Sequence, residues 1–290
     1  MNFFEKQTNH DTMLASLRED LAGRRLHDLS FGTMYTYKDI PKLLPKANGL
    51  FHLVGNYVVT EASVTRKSIF WLRDPTADEL REWMSKGFSC TTEHKIEGVS
   101  GSSKRVEVEY DLRKVFDPAS YPNAKKRYQR ITYPINFLEK EGISIRMLSG
   151  EPEIEAALVL HDRWMAIKRA NPAIHQNSLP SARYSRCVRY ASNMPKDLWA
   201  FGAWKGDELI AVRVFGVSGV KAFDLAFYSD YQNLPSQTTE YLNTALMKIL
   251  LALHVETLNS GLSSDKGLKT FKNHYPNEEV VSYSYKEAKK

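Results

Sequence analysis

The sequence predicts a mixed α/β fold, with helices packed on a mixed sheet. Three observations lead there. Residues 221–286 alternate strand and helix patterns, and their order gives two parallel strands joined by a helix. Just before them, residues 198–204 and 208–218 read as strands joined by Lys205-Gly206-Asp207, a hairpin signal. The first half also mixes strand and helix patterns.

Size and composition bound the function. The chain has 290 residues, 42% hydrophobic and 26% charged, enough for one large or two smaller domains. No apolar run approaches the roughly 20 residues that span a bilayer. The opening residues lack the basic segment and apolar core of a secretory signal. The two cysteines, Cys90 and Cys187, form no Cys-x-x-Cys pair. A reducing, cytoplasmic setting and no structural zinc are expected. The net charge of +6 suits an anionic ligand such as a nucleotide, coenzyme A, tRNA, DNA or a lipid head group. A slightly basic soluble enzyme would carry the same charge.

The elements follow in order. Leu14, Leu17, Leu21, Leu26 and Leu29 keep helical spacing, interrupted by Gly23. Residues 49–63 and 68–74 are rich in Val, Ile and aromatics and read as strands. Thr76, with Glu79 three residues on, makes a capping box, and Gly87 marks the helix stop. Residues 104–112 alternate apolar and charged side chains, as a half-buried strand does. Pro118, Pro122 and Pro134 then punctuate a boundary region that holds a basic helical segment. A strand at 143–148, helices at 153–170 and from about Ser181, and three strands lead to the helix that opens near Ser236. Expected domains are an α/β half at 1–118, a basic helical connector at 119–142 and a catalytic domain at 143–290.

From Ile143 the order is strand, two helices, three antiparallel strands, helix, strand, helix, strand. That order resembles the GNAT acyltransferase fold. Two stretches look like the branch that holds the Fem peptidyltransferases and the phosphatidylglycerol lysyltransferase catalytic domains. One is NAKKRYQRITYPINFLEKEGISI (123–145). The other is LNSGLSSDKGLKTFKNHYP (258–276), with its strand-end glycine, acidic turn and Gly-Leu-x-x-Phe-Lys helix. The resemblance covers roughly residues 105–286 and implies transfer of an acyl or aminoacyl group to an amine or hydroxyl. The donor would be acyl-CoA or aminoacyl-tRNA, and no metal would be needed. Members often carry two GNAT-like halves in tandem, so residues 1–118 would be a degenerate first half. The usual glycine-bearing phosphate loop is missing, since YQNLPSQTT (231–239) has no glycine. Members that use aminoacyl-tRNA also lack a standard loop.

Such a transfer needs a base for the amine, donors for the oxyanion and a proton for the leaving group. Asp224 sits within an apolar strand, where lost hydration would raise its basicity. Strict alternation would set it on one face with Ala226 and Tyr228. The resemblance implies that an acid on this strand can act as base. The competing reading is an ion pair with Arg213 on the neighbouring strand. Ser236, Thr238 and Thr239 open the long helix, where hydroxyls and free amides can bind phosphate, although ordinary capping selects the same residues.

Asp265, Lys266, Lys272 and Tyr275 cluster after Gly261. The resemblance gives Lys272 a role at an anionic group of donor or acceptor, with Lys266 beside it among the donor-binding candidates. It gives Tyr275 a role as leaving-group acid; a surface lysine and a core tyrosine are the plain alternatives. Asn259 either meets an extended donor across a splayed strand edge or caps a turn. Lys125, Lys126, Arg127 and Arg130 give a basic face that either tracks phosphates or is merely solvated. The eight histidines form no metal-binding pair, and no nucleophile elbow or Walker loop occurs. Two other functions remain open: modification of a nucleic-acid base, and a non-catalytic module that keeps the fold. The sequence leaves the oligomeric state undefined.

Overall fold

The computed structural model describes residues 52–54, 57–63, 66–71, 75–170, 183–192, 195–230, 234, 237–262 and 270–286. The helix expected at 14–29, together with Ser236, Asp265 and Lys266, lies outside the described residues. The chain forms two compact units. The first holds residues up to Glu107 and again from Glu279, and the second runs from Val108 to Glu278. The division therefore falls before the expected 118, and the chain's last strand returns to the first unit.

In the first unit, strands β1 (His52–Val54), β2 (Tyr57–Ser63) and β3 (Arg66–Trp71) form an antiparallel meander. β4 (Phe88–Thr92) lies parallel to β3, and the chain's last strand, Glu278–Tyr285, pairs antiparallel with β4. Helix α1 (Ala77–Ser85) has the expected capping box: the Glu79 amide donates to Thr76 Oγ1 at 3.3 Å, and the Thr76 amide to Glu79 Oε2 at 2.8 Å. Leu80 of α1 packs with Phe88, Cys90 and Tyr285.

β5 (Ser102–Asp111) is divided between the units, with Val108–Asp111 in the second. Glu107, Val108, Glu109 and Tyr110 are all buried, so the expected half-buried strand is covered on both faces at this end. Asp111 then caps α2 (Leu112–Phe116) by accepting from the Arg113 and Lys114 amides.

The next helix does not break at Pro134. α3 (Ala124–Arg127), a π turn (Tyr128–Thr132) and α4 (Tyr133–Lys140) run on without interruption. Proline has no amide proton, so the Arg130 carbonyl loses its usual helical donor. The Thr244 hydroxyl lies 3.4 Å from that carbonyl and 3.3 Å from the Glu240 carbonyl, and the helix widens to bond the Tyr133 amide to the Tyr128 carbonyl. The segment expected as a connector is thus packed into the second unit, where Leu138 joins Tyr241 and Leu242.

The rest of the second unit is a sheet with helices on both faces. β6 (Ile143–Met147), β7 (Leu198–Lys205), β8 (Glu208–Ser218) and β9 (Lys221–Ser229) pair antiparallel in sequence order. β10 (Thr257–Leu262) runs parallel to β9 and beside β5, and β11 (Glu278–Tyr285) is the last strand described above. Gly206 and Gly219 turn the two hairpins with φ of 59° and 57°, values that favour glycine. α5 (Gly150–Ala170) and α6 (Arg183–Ala191) cover one face through Ile154, Trp164, Cys187 and Val188. α7 (Thr238–Ala252) covers the other through Leu242, Leu246, Met247 and Leu250. No helix among the described residues is long and apolar enough to cross a membrane.

Candidate active site between parted strands

β9 and β10 pair only through Lys221↔Thr257, Ala222↔Leu258 and Phe223↔Asn259. Beyond that register they separate, and a cavity of about 420 Å³ opens between them. Its wall includes Asp224 and Phe227 from β9 and Ser260 and Leu262 from β10. Tyr184 of α6 and Asn243 of α7 also line it, though their helices lie on opposite faces of the sheet. The gap therefore passes through the sheet, which only parted strands allow. Strict alternation sets Tyr228 on the Asp224 face of β9, toward the gap. Tyr228 is in fact buried, with its hydroxyl donating to the Ala157 carbonyl at 3.0 Å, and the strands part at Phe223.

A bulge explains the difference. Val214 pairs with Ala226, but the next residue, Phe215, pairs with Asp224, leaving Leu225 as an extra residue in β9. The bulge breaks the strict alternation. Ala226 and Tyr228 pack in the core below α5, whereas Asp224 turns to the α7 side, where it meets Arg213, which in turn donates to Asn243 of α7.

Arg213 is the electrostatic centre of the cavity. Its Nε and Nη2 donate to the two Asp224 oxygens at 3.0 and 2.6 Å, and its Nη1 donates to Asn243 Oδ1 at 2.5 Å. The guanidinium also lies over Phe227, 5.5 Å from the ring centroid. The Asp224 side chain is 18% exposed and that of Arg213 8%. Asp224 is thus the forked partner of an arginine, the competing reading of the sequence, and the apolar strand supplies a counter-ion along with desolvation.

Lys272 is 4% exposed and does not reach out to an anion. Its ammonium donates to the Ser260, Gly261 and Leu262 carbonyls at 2.6, 2.7 and 2.9 Å. Three protons meet three successive carbonyls, so the expected anion clamp is a strap on the end of β10. Asn259 is buried, and its Oδ1 accepts from the Gly261 amide at 2.7 Å, a local turn within the same strand end.

Tyr275 is not among the residues that line the cavity. It is buried, shares a 2.6 Å hydrogen bond with the Thr244 hydroxyl and meets Tyr110 edge-on at 6.0 Å. Burial pushes its hydroxyl up to about 12, with the Thr244 bond opposing. Tyr275→Phe should lower stability by about 1 kcal/mol and leave any catalytic rate within about two-fold. A leaving-group acid would instead lose about 100-fold or more in kcat. Tyr110, which the sequence argument passed over, does line the cavity. Its hydroxyl donates to the Lys272 carbonyl at 3.1 Å, and burial raises its pKa.

α7 begins at Thr238, and its cap residue Gln237 makes no side-chain cap bond. The hydroxyl capping expected from Thr238 and Thr239 is therefore not used. Thr238 is buried with Oγ1 unpartnered, and Thr239 lines the cavity. The helix amino end faces the cavity at Thr239. The basic residues separate into two sets. Lys125 and Lys126 are exposed, while Arg130 Nη1 donates to Glu240 Oε1 at 2.6 Å and lies 2.8 Å from His274 Nδ1. No group of three or more potential metal ligands gathers among the described residues.

No family model matches the chain, and no curated protein matches it. Solved structures do. A conserved protein of unknown function from Bacteroides thetaiotaomicron superposes with a TM-score of 0.66 at 12% identity, covering 93% of this chain and 96% of that one. FemX gives 0.58 at 10%, covering 94% and 95%. L-PGS from Bacillus licheniformis gives 0.57 at 14%, covering 88% and 94%. The chain shares the fold of FemX and of L-PGS. These likenesses extend over both units and establish the fold.

Proposed function

We propose that the second unit is an acyltransferase or aminoacyltransferase that brings an activated donor and an amine or hydroxyl acceptor together in the cavity between β9 and β10. The donor is an acyl-CoA or an aminoacyl-tRNA. The observation that carries this reading is the parting of two parallel strands beside the amino end of α7. It leaves an edge of β9 without its β10 partner, and that edge can receive an extended chain. Direct attack needs the two reactants held in register, and no covalent intermediate.

Within this reading Asp224 orients the acceptor. The arginine fork takes one lone pair from each oxygen and leaves others able to accept from an amine. Lys272 has its three protons directed at the β10 carbonyls, and Arg213 directs three of its five N–H groups at Asp224 and Asn243, so both cations are largely engaged within the protein. The first unit is then the degenerate GNAT-like half of a tandem pair.

Donor analogues test the reading. Acyl-CoA thioethers and 3′-aminoacylamino-adenosines resist transfer, and a true donor type should raise the melting temperature by mass action, about 2.7 kcal/mol at 100 times Kd. No shift with any analogue of either type would leave a module that keeps the fold without the chemistry. The structural engagement of both Asp224 and Lys272 is the observation that favours this second reading.

A further inference from the structure

The π turn at Tyr128–Thr132 changes which residues share a face of the helix. In an α-helix, residues five apart point about 140° away from each other. A π turn bonds residues five apart and stacks them on the same side, and such turns recur at functional sites. Here the Tyr133 amide bonds the Tyr128 carbonyl, and the two rings come to 6.2 Å between centroids. Tyr133 continues to Phe137 at 6.3 Å and meets Tyr241 of α7 edge-on at 5.7 Å. The inner members anchor the row, while Tyr128 and Tyr133 remain 50% and 42% exposed.

Along this stretch of helix the charge has one sign, and Glu240 of α7 takes up Arg130 alone among its cations. Between Asp117 and Glu139 the sequence holds no acidic residue and four basic ones. Lys125 and Lys126 are exposed on the turn just before Tyr128. Arg127 beside them has its Nε buried and unpartnered. Exposed aromatic faces next to a run of cations favour a ligand with flat π-systems joined by anions.

We propose that Tyr128 and Tyr133 form a stacking platform for single-stranded nucleic acid, with Lys125 and Lys126 holding its phosphates. Bases stack on the two exposed rings irrespective of sequence, and the lysines release counter-ions from the backbone. A duplex keeps its bases stacked inside and presents no face to the tyrosines. The platform lies outside the residues that line the cavity and stands whether or not the cavity transfers an acyl group. If the strand is RNA, the platform deepens the transferase reading by favouring a charged RNA as donor.

Fluorescence polarisation with a labelled, unstructured 12-nucleotide RNA, its DNA counterpart and the matching duplex tests the platform on the full chain. Tyr128→Ala and Tyr133→Ala should each weaken single-strand binding by roughly 5–150-fold, the range of one stacked base. Far-ultraviolet circular dichroism should stay unchanged for both; the melting temperature should hold for Tyr128→Ala and fall by a few degrees at most, about 1 kcal/mol, for Tyr133→Ala, which loses its ring contact with Tyr241. Tyr128→Phe keeps the π face and should bind within about two-fold. The Lys125→Ala/Lys126→Ala double variant should lower the salt slope by about 1.4, the release from two single-strand phosphates. Preference for RNA points to a charged RNA, and equal binding of RNA and DNA to a general strand platform; both support the proposal. It is overturned by tighter binding of the duplex, by no binding at 50 mM salt, or by tyrosine variants that bind like the parent chain. Shifts with donor analogues alongside no strand binding would overturn the platform and leave the transferase reading intact.

Discussion

Arg213→Met should be the most damaging single substitution in the second unit. It leaves the Asp224 carboxylate largely buried without its guanidinium and removes the donor to Asn243. Breaking a buried pair on one side costs about 3–5 kcal/mol, since the remaining charge has lost its compensation. At roughly 2–4 °C per kcal/mol for a domain of this size, thermal unfolding should start about 6–20 °C lower. Arg213→Lys should recover little, because a single ammonium cannot reproduce the fork and the third bond together. The double variant Arg213→Met/Asp224→Leu should regain most of the loss, because no unpaired charge remains. A single variant that melts within 2 °C of the parent would contradict the central place given to this pair. Asp224→Asn separates the two roles of the acid. As an orienting acceptor its loss costs transfer about ten-fold or less, whereas loss of a general base costs about 100–10,000-fold in kcat at unchanged KM.

Much of this architecture is legible in the sequence. The hairpins at Gly206 and Gly219, the Thr76 capping box and the three strands before α7 follow local rules that tertiary contacts did not override. The parallel crossover from β9 through α7 to β10 follows from the order of elements. The parting of the strands was expected too, but its place depends on a bulge at Leu225 that no period in the sequence marks. The candidate residues were harder to read. Lys272 carries one charge in any reading, and only packing shows its three protons turned to carbonyls. The same holds for Tyr275: a tyrosine three residues after Lys272 looks alike whether it faces a cavity or Thr244. Pro134 misled for a physical reason. A proline normally ends a helix, but here the helix widens into a π turn and runs on, with the Thr244 hydroxyl 3.4 Å from the freed Arg130 carbonyl. A signal for the platform was present, since a stretch of basic and aromatic residues without acids is visible by eye, but the alignment of Tyr128 with Tyr133 needs the π turn.

Lys272→Met should be nearly as costly as the arginine change, with a different kinetic signature. The ammonium neutralises the carbonyl dipoles of Ser260, Gly261 and Leu262 where β10 leaves β9, so it holds the outer wall of the cavity in place. Methionine fills similar volume but offers no donor. Buried acceptors left unpaired cost about 1–3 kcal/mol each, and partial relaxation toward water at half-exposed Leu262 brings the sum to about 3–5 kcal/mol. As a strap on β10, Lys272 should affect stability and kcat together, because a wall that shifts by about 1 Å misplaces the reactants by enough to slow transfer roughly 100-fold. As a clamp on a donor phosphate it would raise KM and leave melting almost untouched. Thermal unfolding and steady-state kinetics on the one variant therefore decide between them: an unchanged melting temperature with a raised KM would return Lys272 to the donor, and a joint loss of melting temperature and kcat would fix it as the residue that keeps the two strands apart.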